Sequence, residues 1–144
     1  MTIATVSVIS GGAWGTALAQ ALAAGGKRVV LYAREADVVS DINTRHVNRT
    51  FLPGVELDQG LRATLDLSEA LATDVILSVT PAQYVRAMGE AMRPLLKRST
   101  PFVMCSKGIE QRTGKLMSDV IAEVLPEVPF LALSGPSFAA DVAR

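Results

Sequence analysis

The chain has a single cysteine, Cys105, and a single histidine, His46, among its 144 residues. One cysteine excludes an internal disulfide, and one histidine beside one cysteine leaves no ligand set for a Cys/His zinc site. Cys105 lies in the apolar run PFVMCSKG with no histidine or carboxylate close in sequence, so it reads as a small buried hydrophobe. Net charge is lacking as well: 14 basic and 14 acidic residues cancel, which gives no bulk attraction toward nucleic acid or an anionic membrane. No apolar run approaches the ~20 residues that span a bilayer. The opening MTIATVSVIS has no basic segment of the kind that begins a secretion signal. A cytoplasmic protein without nucleic-acid or membrane partners is therefore expected.

What is present is a globular composition, 49% hydrophobic and 19% charged, at a length suited to one domain. Short apolar runs alternate with helical ones. Ile3 to Ile9, Arg28 to Ala33, Val75 to Val79, PFVMCS and PFLALSGP read as strands, and LRATLD as a short edge strand. Helices are expected at Ala13 to Ala24, in READVVSDIN and LSEALATD, at Ala82 to about Leu96, at Gly114 to Leu125, and in the final SFAADVAR. Thr44 to Gly60 reads as a long irregular connection, with Pro53-Gly54 as a turn. The main strands are continuously apolar, the pattern of strands buried on both faces. The expected fold class is α/β, a doubly wound parallel sheet of Rossmann type.

The segment VSVISGGAWGTALAQALAAGG joins the first strand to the first helix through Gly11, Gly12 and Gly15. A helix start carries unpaired N–H groups and partial positive charge, and a diphosphate can sit there if the backbone comes close. Gly12 removes a Cβ that would hold phosphates away, and Gly15 removes one from the helix face against the first strand. The spacing is Ser10-x-Gly12-x-x-Gly15, so serine stands where the dinucleotide fingerprint begins with glycine. Either Gly11 absorbs the tight turn or Ser10 tolerates it at about 1 kcal/mol of strain. No Gly-Lys-Ser/Thr follows, which argues against an ATP-binding P-loop. After the second strand the chain reads Tyr32-Ala33-Arg34-Glu35. Arg34 suits a ribose 2′-phosphate and an adenine face, so NADPH is expected, with NADH as the alternative.

GGAWGTALA, LYARE, FLPG, SVTPA, CSKGIE and LSGPSFA occur in this order between Val6 and Ala143. Together they resemble the bacterial NAD(P)-dependent glycerol-3-phosphate dehydrogenases, and SKGIE followed by SGPSFA is the most specific part. The resemblance implies reduction of dihydroxyacetone phosphate to sn-glycerol 3-phosphate by hydride transfer, a product used in phospholipid synthesis. It implies that Ser10, Gly11, Gly12, Ala13, Trp14, Gly15, Arg34, Lys107 and Ala139 face the cofactor. Lys107, Gly135 and Ser137 would face the phosphorylated substrate. Many relatives have serine where Ala13 stands, so one hydroxyl contact is expected to be missing. FLPG, from Phe51 to Gly54, matches a loop near the family's cleft, with Phe51 as an anchor. Lys107 and the Gly135 to Ser137 segment each follow a predicted strand, on the side of a parallel sheet where ligands bind. Ser137 is also expected near a helix start that favours anions.

The resemblance further implies a second, helical domain carrying the catalytic lysine, a phosphate-gripping arginine and most of a homodimer contact. No catalytic residue is therefore expected in this chain. It reads as residues 1–144 of the dinucleotide-binding domain, incomplete at its C-terminal end, inactive alone and prone to self-association through an open sheet edge or an exposed helix face. A non-catalytic NADPH-sensing module and the cofactor half of a 6-phosphogluconate or hydroxyacid dehydrogenase are the competing readings.

Overall fold

The computed structural model describes every residue except Met1, Arg98 and Pro136. Its centre is a six-stranded, all-parallel sheet built from β1 (Thr5–Ile9), β2 (Arg28–Tyr32), β5 (Leu61–Thr64), β6 (Val75–Ser78), β7 (Phe102–Met104) and β8 (Phe130–Ala132). The order across the sheet is β5-β2-β1-β6-β7-β8. Chain direction across the sheet reverses between β1 and β6, which creates the crevice where ligands of doubly wound sheets bind.

Alternation of side chains explains why the strands are apolar throughout. Val8 and Leu77 point into one layer, with Ala17, Val38 and Ile42. Ile9 and Ile76 point into the other, with Phe102, Val120 and Ile121. Helices cover both faces: α1 (Ala13–Ala24), α2 (Ala36–Arg45) and the one-turn α6 (Ala139–Val142) belong with the first layer. The one-turn α3 (Leu67–Ala70), α4 (Val85–Met92) and α5 (Met117–Val124) belong with the second. β8 is an edge strand, and all three of its residues are exposed.

α1 stops where the glycine pair predicts. The Gly25 and Gly26 amides donate to the carbonyls of Ala21 and Ala23, and Gly26 turns the chain at φ +80°. Four expectations change. Thr44 to Gly60 is not wholly irregular: β3 (Val47–Asn48) and β4 (Leu52–Glu56) form a separate antiparallel pair. Pro53 and Gly54 lie within β4 rather than in a turn of their own, which a proline tolerates where its missing N–H breaks no ladder. The expected helix from Ala82 begins as a 3₁₀ turn, Ala82–Tyr84, and its α-helical part ends at Met92, before Pro94. The expected helix at Gly114 starts only at Met117, because Gly114 adopts φ +72° and Ile109 bridges to Leu116 to close a loop.

Candidate functional site

The glycine turn leaves the end of β1 with Ser10, not Gly11, at a positive φ of +127°, a conformation that favours glycine. Gly11 is needed for another reason. A Cβ there would stand 2.7 Å from the Cβ of Ala33, so its bare Cα lets the turn lie against the end of β2. A Cβ on Gly15 would overlap the Ser10 carbonyl, which allows α1 to start directly against the end of β1. Gly12 is different, since a Cβ there would meet nothing closer than the Ser10 hydroxyl at 3.6 Å. Its Cα faces open space, and a side chain would fill that space.

No side chain caps α1, and no acidic residue stands in its first turn. The first amides of the helix therefore face an opening suited to an anion. The Gly11 carbonyl, which would repel one, is turned away. It accepts from the Asn48 side-chain amide at 2.9 Å and from the Thr16 hydroxyl at 3.2 Å. The Ser10 hydroxyl accepts from the Gly12 amide at 3.4 Å, a long and weak bond.

Two clefts flank this turn. One, of about 220 Å³, is walled by Ser10, Gly11, Gly12, Arg34, Glu35 and Phe51, among others. Arg34 is largely solvent-exposed, and its guanidinium stands 4.0 Å from the Glu35 carboxylate. The other, of about 400 Å³, takes in Ala13, Trp14, Lys107, Gly135, Ser137 and Ala139. Thr80 and Pro81, just past β6, border both. The structure thus gathers the residues singled out in the sequence along one edge of the sheet, on either side of the switch point. Gly15 is the exception: it is buried and lines neither cleft.

In the second cleft the Lys107 ammonium donates to the Gly135 carbonyl at 2.6 Å, joining the ends of β7 and β8. The Ser106 hydroxyl donates to the Thr80 carbonyl and ties the same segment to the end of β6. The Thr80 hydroxyl is buried without a partner. Ser137 belongs to the cleft wall but gains little from a helix start, because α6 is a single turn with a correspondingly small dipole. Pro136, inside the same motif, lies outside the described residues.

The loop after Lys107 is fastened from α4 and the turn before it. Arg86 makes a forked pair with Glu110 at 2.9 and 3.0 Å and reaches Glu123 at 2.8 Å. The Arg86 guanidinium, with the Thr113 hydroxyl, pulls the Glu110 carboxyl down to about 2. Gln83 brackets the same loop, donating to the Ile109 carbonyl and accepting from the Gln111 amide, each at 2.9 Å. Sequence reasoning missed Gln83, Arg86, Asn48 and Thr80. The acid in SKGIE was the one local signal. Burial raises the Cys105 thiol to about 11, in keeping with a packing role rather than a reactive one.

The sheet order, the crevice at the reversal and the glycine turn define a Rossmann-type domain of the doubly wound α/β class. Residues 5–144 match the family described as NAD-dependent glycerol-3-phosphate dehydrogenase N-terminus, and the chain belongs to that family. It is 55% identical over 139 residues to a glycerol-3-phosphate dehydrogenase [NAD(P)+] of Paramagnetospirillum magneticum, covering 96% of this chain and 50% of that protein. The structure of a glycerol-3-phosphate dehydrogenase from Coxiella burnetii superposes with a TM-score of 0.90 at 33% identity, covering 98% of this chain and 43% of the other. The yeast enzyme from Saccharomyces cerevisiae superposes with a TM-score of 0.87 at 28% identity, covering 99% and 44%. The chain spans about half the length of the curated relatives it matches.

Proposed function

We propose that this chain is the nicotinamide-dinucleotide-binding part of an sn-glycerol-3-phosphate dehydrogenase. The observation that carries the reading is the open, uncapped start of α1 between two clefts, one edged by Arg34 and the other by Lys107. The residues fit the cofactor: the space at Gly12 would be filled by any side chain, and the Gly11 carbonyl is drawn off the opening. In this reading the Gly12 to Trp14 segment holds the diphosphate, and Arg34, Glu35 and Phe51 surround the adenosine end. Trp14 and Ala139 would border the nicotinamide end. Lys107, Gly135 and Ser137 would meet a small phosphorylated substrate, with the ammonium stabilising its oxygens. When bound, the nicotinamide supplies the hydride that converts the C2 carbonyl of dihydroxyacetone phosphate to the alcohol, or takes it back in reverse. The general acid for that carbonyl is not among the groups this reading assigns to the chain.

Arg34 favours NADPH, while Glu35 beside it is a ready acceptor for the free 2′-hydroxyl of NADH. No helix among the described residues is long and apolar enough to cross a membrane. Titration of the chain with NADPH and with NADH, followed by Trp14 fluorescence and by calorimetry, tests the reading. Saturable binding with NADPH tighter is expected. Absence of saturable binding of either dinucleotide would overturn it.

A further inference from the structure

Asn48 is 1% exposed and lies in the short strand β3, far in sequence from the glycine turn. Its side-chain amide donates to the Gly11 carbonyl at 2.9 Å and to the Thr16 hydroxyl at 2.8 Å. Thr16 in turn donates to the same carbonyl at 3.2 Å, which closes a three-membered ring of hydrogen bonds. The oxygen of the Asn48 side chain accepts from the Phe51 amide at 3.0 Å. One buried side chain thus holds both the turn and the aromatic residue on the wall of the adenosine-side cleft.

We infer that Asn48 is a positioning residue for dinucleotide binding. The inference rests on the cofactor reading above and deepens it. The Gly11 carbonyl and the Gly12 N–H belong to one trans peptide plane, where they point in opposite directions. Tying the carbonyl to Asn48 and Thr16 therefore aims the Gly12 N–H away from them, toward the Ser10 hydroxyl that shares the cleft wall with Gly12 and accepts from it only weakly, at 3.4 Å. Without Asn48 the plane is held only by the longer Thr16 bond and rotates more readily, and rotation would bring a carbonyl dipole toward a diphosphate. The bond to the Phe51 amide fixes the cleft wall against the same reference point, so the turn and the wall move together. Asn48 acts through these groups and touches no ligand.

The test compares the unsubstituted chain with Asn48→Ala and with Asn48→Leu, which keeps the buried volume. NADPH and NADH affinities are measured by calorimetry, thermal stability by circular dichroism, and the Gly12 and Ala13 amide resonances by ¹⁵N–¹H correlation. The expected result for variants that remain folded is a loss of roughly tenfold or more in dinucleotide affinity with shifted Gly12 and Ala13 resonances. A purely architectural asparagine would lower the melting temperature yet leave affinity and those resonances unchanged, and that outcome overturns the inference. If both variants unfold, Thr16→Val, which removes one of the two bonds to the Gly11 carbonyl, must show the same pattern at smaller size. Failure of the unsubstituted chain to bind either dinucleotide strikes the cofactor reading itself, and this inference with it. Normal binding by a folded variant strikes this inference alone.

Discussion

The carbonyl oxygen of Ser10 occupies the space that a side chain on Gly15 would need. Backbone, not a flexible side-chain tip, stands in that space, so neither partner can yield cheaply. Gly15→Ala should therefore destabilise the fold by several kcal/mol, on the order of an overpacked core site or more. Gly12→Ala should leave the melting temperature within a few degrees while cutting dinucleotide affinity, because its Cβ enters open space at the helix start. Thermal melts and calorimetric titrations of the two variants separate the roles. Equal loss of stability in both would contradict the assignment.

Ser10 pays for standing at a glycine position, with φ +127°. Ser10→Gly should stabilise the chain by about 1 kcal/mol in urea denaturation, by release of backbone strain partly offset by glycine's greater freedom when unfolded. It also frees the Gly12 amide from the 3.4 Å contact with the serine hydroxyl. Dinucleotide affinity should rise, and an unchanged or lower affinity would show that neither the strain nor the hydroxyl contact at Ser10 costs binding.

Arg34 and Glu35 stand 4.0 Å apart at the mouth of the first cleft and both are accessible, so their pairing in the free protein is weak. Arg34→Ala should reduce NADPH affinity by roughly tenfold, as expected for a lost charge-assisted contact to phosphate, and barely change NADH affinity. Glu35→Gln should shift preference further toward NADPH by removing a like charge from the 2′-phosphate. Parallel titrations measure the ratio, and equal losses for both dinucleotides after Arg34→Ala would remove arginine from the discrimination.

The Glu110 carboxyl titrates at about 2 in the fold against an ordinary 4.5, chiefly through its forked pair with Arg86. A depressed folded-state pKa means that the stabilisation is fully present above about pH 4.5. It is lost as pH falls toward 2. Glu110→Gln should therefore flatten the fall in melting temperature across that interval and lower stability at neutral pH. The loop after Lys107 should loosen at the same time, visible as faster amide exchange at Gln111, whose N–H donates to Gln83, and at Gly114, whose N–H donates to the Glu110 carbonyl. An acid limb as steep in the variant as in the parent would exclude this pair as its source.

Cys105 is buried, and its thiol is raised to about 11. It should resist a water-soluble disulfide reagent at pH 7 in the folded chain and react promptly in denaturant. Cys105 belongs to the wall of the second cleft, so rapid labelling of the native protein would show that the cleft opens enough to uncover its thiol.

How much could be read in advance depended on distance along the chain. The β1 to α1 segment was legible because its signals are local: a β-branched run, three glycines and an alanine-rich helix closed by Gly25-Gly26. The hairpin of β3 and β4 was not, because Pro53 and Gly54 usually mark turns, and only pairing of Val47 with Glu56 draws them into a strand. The choice between Ser10 and Gly11 for the strained position was equally hidden. Gly11 is required by Ala33, twenty-two residues later, and no local rule reveals that contact.

By itself the sequence determined the alternation of buried strands and amphipathic helices, the glycine spacing at the helix start and the motifs that carry the family resemblance. Those are properties of neighbouring residues and of side-chain periodicity. The tertiary structure alone decided that Arg34 and Lys107 edge two different clefts, that Thr80 and Pro81 border both, and that Asn48 turns the Gly11 carbonyl away. These depend on the order of strands across the sheet, which brings together groups that share no local pattern.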